Sequence, residues 1–319
     1  MRAPRWLPGG HAQTIWPAAV ARRQLAGQVR FTRERWDTPD GDFVDLDFAP
    51  AGGPGQPLLV LFHGLEGSTA SHYALSFALE ARRRGWGFVM PHFRGCSGEI
   101  NRAPRAYHSG DHAEVGWFLH RLAARHGGPV LAAGVSLGGN ALLRWAGEVE
   151  DDAARAARAV ASICSPLDLG AAGRAMGRGF NRQVYTRMFL ATMKPKALAK
   201  WQQHPGLFDR ERLVAARTLH DFDNAFTAPL HGFRNTEDYW TRASARPHLQ
   251  RLRIPALALN ARNDPFVPAS SLPSPAEVAP GVDLWQPAHG GHVGFPQGRF
   301  PGHVRGLPVA VCDWFARRT

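Results

Sequence analysis

Lysine is nearly absent from this chain: Lys194, Lys196 and Lys200 are its only three in 319 residues, and the rest of its 38 basic residues are arginines. Cysteine is as scarce. Cys96, Cys164 and Cys312 are odd in number and far apart, which excludes a disulfide framework and a zinc site built on paired cysteines. A reducing, cytoplasmic setting is the expected default. No segment offers eighteen uninterrupted apolar residues, so no membrane span is expected. The opening "MRAPRWLPGGHAQTIWPAAVARR" is basic, but Pro8, Gly9, Gly10, His11 and Gln13 break up the apolar core that a signal peptide needs. The formal net charge of +12 invites a polyanionic partner. Its arginines are read here as spread along the chain and mixed with Asp and Glu, and no nucleic-acid-binding motif accompanies them. No nucleic-acid partner is expected, and only the short "MKPKALAK" run is left to touch an acidic surface.

What is present is an alternation of short apolar runs with helix-like segments, the pattern of an α/β domain with a mostly parallel central sheet and helices on both faces. "RFTRERWDTPDGDFVDLDFAP" reads as an antiparallel hairpin, because Asp40-Gly41 is a turn dipeptide between alternating runs. Further strands are expected over residues 58–64, 87–95, 130–136, 159–165, 256–264 and 283–292, with amphipathic helices near 72–84, 110–125, 140–149 and 303–317. Roughly ninety residues separate Ser165 from Ala256, far more than one crossover needs. The chain is therefore read as one domain, 1–319, carrying a helical cap insertion over 166–240, with a surface decoration as the plainer alternative. Its apolar residues Phe180, Tyr185, Met188, Phe189, Leu190, Met193 and Trp201 are expected partly to face the site, and Phe189 and Met193 are named as substrate-binding residues.

The chemistry starts at Gly134-Val135-Ser136-Leu137-Gly138, a serine between glycines with an apolar run before it and a helix-like run after it. That is the shape of a nucleophile elbow, and by itself also that of a glycine-rich connection. A serine nucleophile needs a histidine base oriented by a carboxylate. Asp264 closes "ALALNARND" and His292 lies in "AHGGHVGF", both at late strand ends and both after the serine. Asp168 in "CSPLDL" is the rival carboxylate, and His289 and His303 are rival bases. His289 and His292 form a His-x-x-His pair without a partnering carboxylate motif, so neither a metal nor another cofactor is expected. An oxyanion hole needs two backbone N–H groups; Leu137 follows the serine, and Leu65 in "HGLEG" is the second donor chosen. His63 is read as bracing that loop. Arg94, Asn101 and Asp111 are read as loop-fixing residues, with Ser109 or Asp111 capping a helix.

"LPGGHAQTIWPA", "LFHGLEGSTASHY", "PHFRGCSGEINR", "YHSGD", "GVSLGGNALLRW", "TAPLHGFRNTEDYW", "NARNDPFVP" and "GGHVGF" together resemble the YheT-like α/β-hydrolases, from about Leu7 to the C-terminus. The resemblance implies an α/β-hydrolase fold and a carboxylesterase-type serine hydrolase, with the family's relay serine, aspartate and histidine falling on Ser136, Asp264 and His292. It also implies lipid-hydrolase relatives in animals that carry an N-terminal membrane segment, for which no counterpart is read here. The expectation is thus a cofactor-free serine esterase acting on a small-molecule ester with a short to medium acyl chain. Acyl transfer, lipid or phospholipid hydrolysis, and a non-catalytic scaffold are the alternatives, and the oligomeric state is left open.

Overall fold

The computed structural model describes residues 3–49, 53 and 55–319; Pro50, the last residue of the quoted hairpin, and Met1 and Arg2 lie outside the described residues. After a first helix, α1 (Gly9–Trp16), the chain enters the hairpin β1 (Thr32–Asp37) and β2 (Phe43–Ala49), with Asp37 paired to Phe43 across the turn. Then follow β3 (Leu58–Phe62), α2 (His72–Arg83), β4 (Gly87–Pro91), α3 (His112–His126), β5 (Val130–Val135), α4 (Leu137–Val149) and β6 (Ala159–Ile163). The strands stand in the order β1-β2-β4-β3-β5-β6-β7-β8, where β7 is Ala256–Leu259 and β8 is Val282–Trp285. Only β2 runs against the others.

The run "LLVLF" shows why this sheet forms. Leu58, Val60 and Phe62 face one side, where Phe118 of α3 and Leu142 and Trp145 of α4 pack on them. Leu59 and Leu61 face the other, against Phe77 of α2 and Trp314 and Phe315 of the closing helix Gly306–Ala316. A strand buried on both faces has no polar side to show, so it reads as a continuous apolar run. Each such Leu or Phe removed from water contributes about 2 kcal/mol.

Several boundaries differ from the sequence reading. β7 stops at Leu259 and β8 at Trp285, so Asp264, His289 and His292 all lie on loops beyond the sheet. His289 is exposed there rather than set into a strand. His303 precedes the closing helix, exposed in a bridge with Gln297. α4 begins directly after Ser136, three residues earlier than its amphipathic pattern suggested, because its first turn carries Gly138 and Gly139, which pack tightly against the ends of β3 and β5.

Between β6 and β7 the chain is largely helical: α5 (Leu169–Met176), a helical run over residues 179–203 that ends in α6 (Arg187–Gln203), and, after shorter turns, α7 (Thr236–Ala243), which passes beyond residue 240. This segment has its own apolar cluster of Leu190, Ala197, Phe208, Leu213, Phe222 and Phe226. The closing helix is α8 (Gly306–Ala316). Among the described residues no helix is long and apolar enough to cross a membrane.

Candidate active site

Ser136 sits between β5 and α4 with φ +52° and ψ −118°, a left-handed conformation that a non-glycine residue adopts only under constraint. The constraint is packing. A Cβ on Gly134 would stand 2.5 Å from the Gly138 carbonyl oxygen, and one on Gly138 would stand 2.5 Å from that of His63. The two glycines let strand, turn and helix close on one another, and the serine is left at the corner. Its own N–H donates to the Ile163 carbonyl of the next strand at 2.8 Å.

Two loops converge on its hydroxyl. His292 Nε2 lies 3.0 Å from Ser136 Oγ, and His292 Nδ1 lies 2.8 Å from Asp264 Oδ2. With its proton on Nδ1 facing the carboxylate, the ring presents Nε2 as acceptor for the serine O–H. The other carboxylate oxygen, Oδ1, accepts the N–H groups of Phe266 at 2.8 Å and Val267 at 3.3 Å. The Asp264 side chain is fully buried, and the Phe266 ring packs on His292 at 4.2 Å between centroids.

The rivals are engaged elsewhere. Asp168 caps α5 by accepting the Ala171 N–H at 2.9 Å and lies 3.6 Å from Arg246. Asp111 stands before α3 without capping it, because its carboxylate holds Arg105 at 2.8 and 2.9 Å. The buried Arg94 pairs with Asp40 and Asp42 at 2.8 Å and Glu114 at 2.6 Å, and Asn101 donates to Asp42, so these residues do fix loops.

Leu65 and Leu137 line the same cavity as Ser136, and among the described residues neither backbone N–H has a protein acceptor. The loop carrying Leu65 is held by His63, whose Nδ1 donates to the Gly64 carbonyl at 2.7 Å while Nε2 accepts the Phe93 N–H at 3.1 Å. Burial lowers the pKa of His63 to about 3, which keeps that neutral bracing form at ordinary pH. Glu66, next to Leu65, receives Lys196 of α6 at 3.0 Å and Tyr107 at 2.8 Å.

Phe189 and Met193 line the cavity together with Met176, Leu219, Phe222 and Phe226. The other expected lining residues do not. Phe180 and Met188 point to solvent, Leu190 and Trp201 pack within the helical segment's own cluster, and Tyr185 packs edge-on against Phe266 without lining the cavity itself. The wall also carries polar groups that were not anticipated, Glu66, Lys196, Lys200 and Asp223; Asp223 is held by Thr227 at 2.7 Å and Trp240 at 2.9 Å, and burial raises its pKa to about 6. The lysines also depart from expectation. Lys194 donates to the Val214 carbonyl, Lys196 binds Glu66, and the buried Lys200 donates to the carbonyls of Asn101 and Ala103, so the run is turned inward.

The sequence reading missed what α1 does. Thr14 Oγ1 accepts the backbone N–H of His292 at 2.8 Å and donates to the Gly10 carbonyl at 2.7 Å. Gln13 Oε1 accepts from Asn263 and from the Gly290 N–H, both at 3.0 Å. The motif "LPGGHAQTIWPA" is thus the clasp that fixes the Asp264 and His292 loops against each other. Its signal lay only in Gln and Thr on an otherwise apolar helical stretch. Thr14→Val keeps the shape but leaves a half-buried N–H unpaired, at about 1 kcal/mol, and loosens the imidazole. The expected result is a fall in turnover on the order of tenfold with KM little changed. Thr14→Ser should restore it; full turnover in the valine variant would remove this role.

A family model described as the alpha/beta hydrolase fold matches residues 57–298. YheT of Escherichia coli (strain K12), a protein whose name carries the word esterase, is 39% identical over 311 residues, 95% of this chain and 89% of that protein. The mouse protein named phospholipase ABHD3 is 30% identical over 86% of this chain and 68% of its own length. Among solved structures, the Pyrococcus furiosus esterase Pf2001 shares the fold with a TM-score of 0.55 at 13% identity, over 92% of this chain and 91% of that one. The family match spans Ser136, Asp264 and His292, and the chain belongs to the α/β-hydrolases, in their YheT-like branch.

Proposed function

We propose that this hydrolase cleaves carboxylic esters with Ser136 as nucleophile, His292 as base and Asp264 as the group that orients the histidine. One observation carries the reading: the continuous chain of contacts from carboxylate to imidazole to hydroxyl at 2.8 and 3.0 Å. In the forward step Ser136 Oγ attacks the ester carbonyl carbon while its proton passes to His292 Nε2. The N–H groups of Leu65 and Leu137 stabilise the negative oxygen that forms. Collapse breaks the bond to the alkoxy oxygen, which leaves as the alcohol with the proton from His292. Water then attacks the acyl-serine, giving a proton to His292; collapse breaks the bond to Ser136 Oγ, which takes that proton back from His292 Nε2 as the carboxylic acid is released.

The helical segment over 166–240 acts in this reading as a cap, and Phe189 and Met193 as part of an acyl pocket. The cavity's apolar wall supports a substrate with an acyl chain, as does the relative named phospholipase. Fluorophosphonate labelling of Ser136 and a panel of p-nitrophenyl esters of increasing acyl length test it. Each methylene that still fits gains about 0.8 kcal/mol, or about fourfold in kcat/KM, until the pocket is full and the rate falls. Phe189→Ala and Met193→Ala should move that maximum to longer chains. A flat profile, unchanged by either substitution, would show that these residues only hold the helical segment together.

A further inference from the structure

The acidic residues are unevenly placed along the chain. Residues 3–33, 169–208 and 284–312 contain no Asp or Glu, although together they hold about a third of the chain and 11 of its 35 arginines. Six of the seven large apolar side chains exposed among the described residues fall in these three segments: Ile15, Val20, Phe180, Val184, Met188 and Phe300, with Val214 outside. A scatter of single exposed apolar residues needs no explanation, but a contiguous set does.

Part of this set is contiguous. Phe180, Val184 and Met188 recur at four-residue spacing along the helical run 179–203, which stacks them on one face. Phe180 and Met188 are 49% and 54% exposed. His11 of α1 joins the ridge, with its ring 4.5 Å from that of Phe180 and its Nδ1 3.1 Å from the Tyr185 hydroxyl. Ile15 follows one turn later on the same side of α1. Along the same stretch of chain stand the exposed Arg178, Arg182 and Arg187, none of which forms an ion pair with a carboxylate among the described residues.

We propose that this ridge docks on the surface of an anionic phospholipid bilayer, with Phe180, Val184, Met188 and Ile15 entering the acyl boundary and the arginines meeting the headgroups. Apolar insertion flanked by unneutralised cations, without acidic residues, is the chemistry such a surface selects. A second copy of the chain fits poorly, because pairing two such faces brings their arginines together. A nucleic acid offers nothing to Val184, Met188 and Ile15. The helix that carries the ridge also carries Phe189 and Met193 of the cavity wall, so docking would set the cavity close to the lipid. The proposal does not depend on the esterase reading, since binding is measured without turnover.

The test is sedimentation of the full chain with vesicles of phosphatidylcholine alone and of equal parts phosphatidylcholine and phosphatidylglycerol. The expected result is binding to the mixed vesicles only. The double substitution Phe180→Ser with Met188→Ser should weaken it on the order of tenfold. Each of Arg178→Gln, Arg182→Gln and Arg187→Gln should weaken it about fivefold and reduce its salt dependence. Because these side chains are exposed, unchanged thermal melts and unchanged fluorophosphonate labelling in solution should accompany the loss. No binding, equal binding to both vesicle types, or binding undiminished in the variants would overturn the proposal. So would a concentration-dependent dimer, seen by light scattering, that the Phe180→Ser, Met188→Ser variant abolishes.

Discussion

Ser136→Ala should reduce ester hydrolysis by about 10⁶-fold, the scale on which loss of a relay nucleophile acts, and should abolish fluorophosphonate labelling altogether. The fold should survive the change. Alanine keeps the Cβ that already sits at φ +52°, so the corner is no more strained than before, and the backbone bond from residue 136 to the Ile163 carbonyl is untouched. What disappears is the oxygen that His292 Nε2 meets at 3.0 Å. A small residual rate over water is expected on the proposed mechanism, in which the N–H groups of Leu65 and Leu137 still polarise a bound carbonyl. Measured as kcat/KM on a soluble p-nitrophenyl ester beside a thermal melt, wild-type activity in the alanine variant would remove Ser136 from the mechanism. Lost activity with a lowered melting temperature would point instead to a broken corner. The melt therefore has to be read together with the rate.

Much of the architecture was legible because its causes are local. Leu58 to Phe62 is buried on both faces and so must be apolar throughout, and the hairpin turns at Asp40-Gly41, where Gly41 has φ +76°. The elbow was legible for the same reason, since close approach of strand to helix demands glycine on both sides of the serine. The order serine, acid, histidine then pointed to Asp264 and His292, which lie on loops beyond the sheet and contact each other at 2.8 Å. The rest depended on contacts between distant parts of the chain. Thr14 and His292 are 278 positions apart, and nothing near Thr14 announces its partner. Lys196 and Lys200 look like a basic run until Glu66 and the carbonyls of Asn101 and Ala103 are brought beneath them. Phe180 and Met188 share a helix with Phe189 and Met193, and only the packing of that helix decides which of them meet solvent. Strand ends were overrun at β7 and β8 because the loop backbone continues ladder-like bonds past them, as from the Arg262 N–H to the Pro287 carbonyl, while the sheet itself has ended.

Asp264→Asn should lower kcat by about 10⁴-fold, by analogy with the same change in the serine-protease relay, and the cause lies in the neighbouring backbone. Oδ1 of Asp264 is held by the N–H groups of Phe266 and Val267, which only an oxygen can satisfy. An asparagine must therefore place its carbonyl oxygen there and turn its NH₂ toward His292 Nδ1. Nδ1 then has to accept, so the imidazole proton moves to Nε2. With a proton there, Nε2 no longer accepts the hydroxyl hydrogen of Ser136, and the base is lost although every heavy atom stays in place. The melting temperature should change little, because the amide fills the same buried space and keeps the bonds to Phe266 and Val267. Asp168→Asn is the matched comparison. Asparagine caps a helix about as well as aspartate, so α5 should keep its first turn and turnover should stay near wild type. Rates for both variants on one ester, over a pH series, decide the matter. If Asp168→Asn lost activity while Asp264→Asn kept more than about a tenth of it, the carboxylate that orients His292 in solution would be the wrong one here.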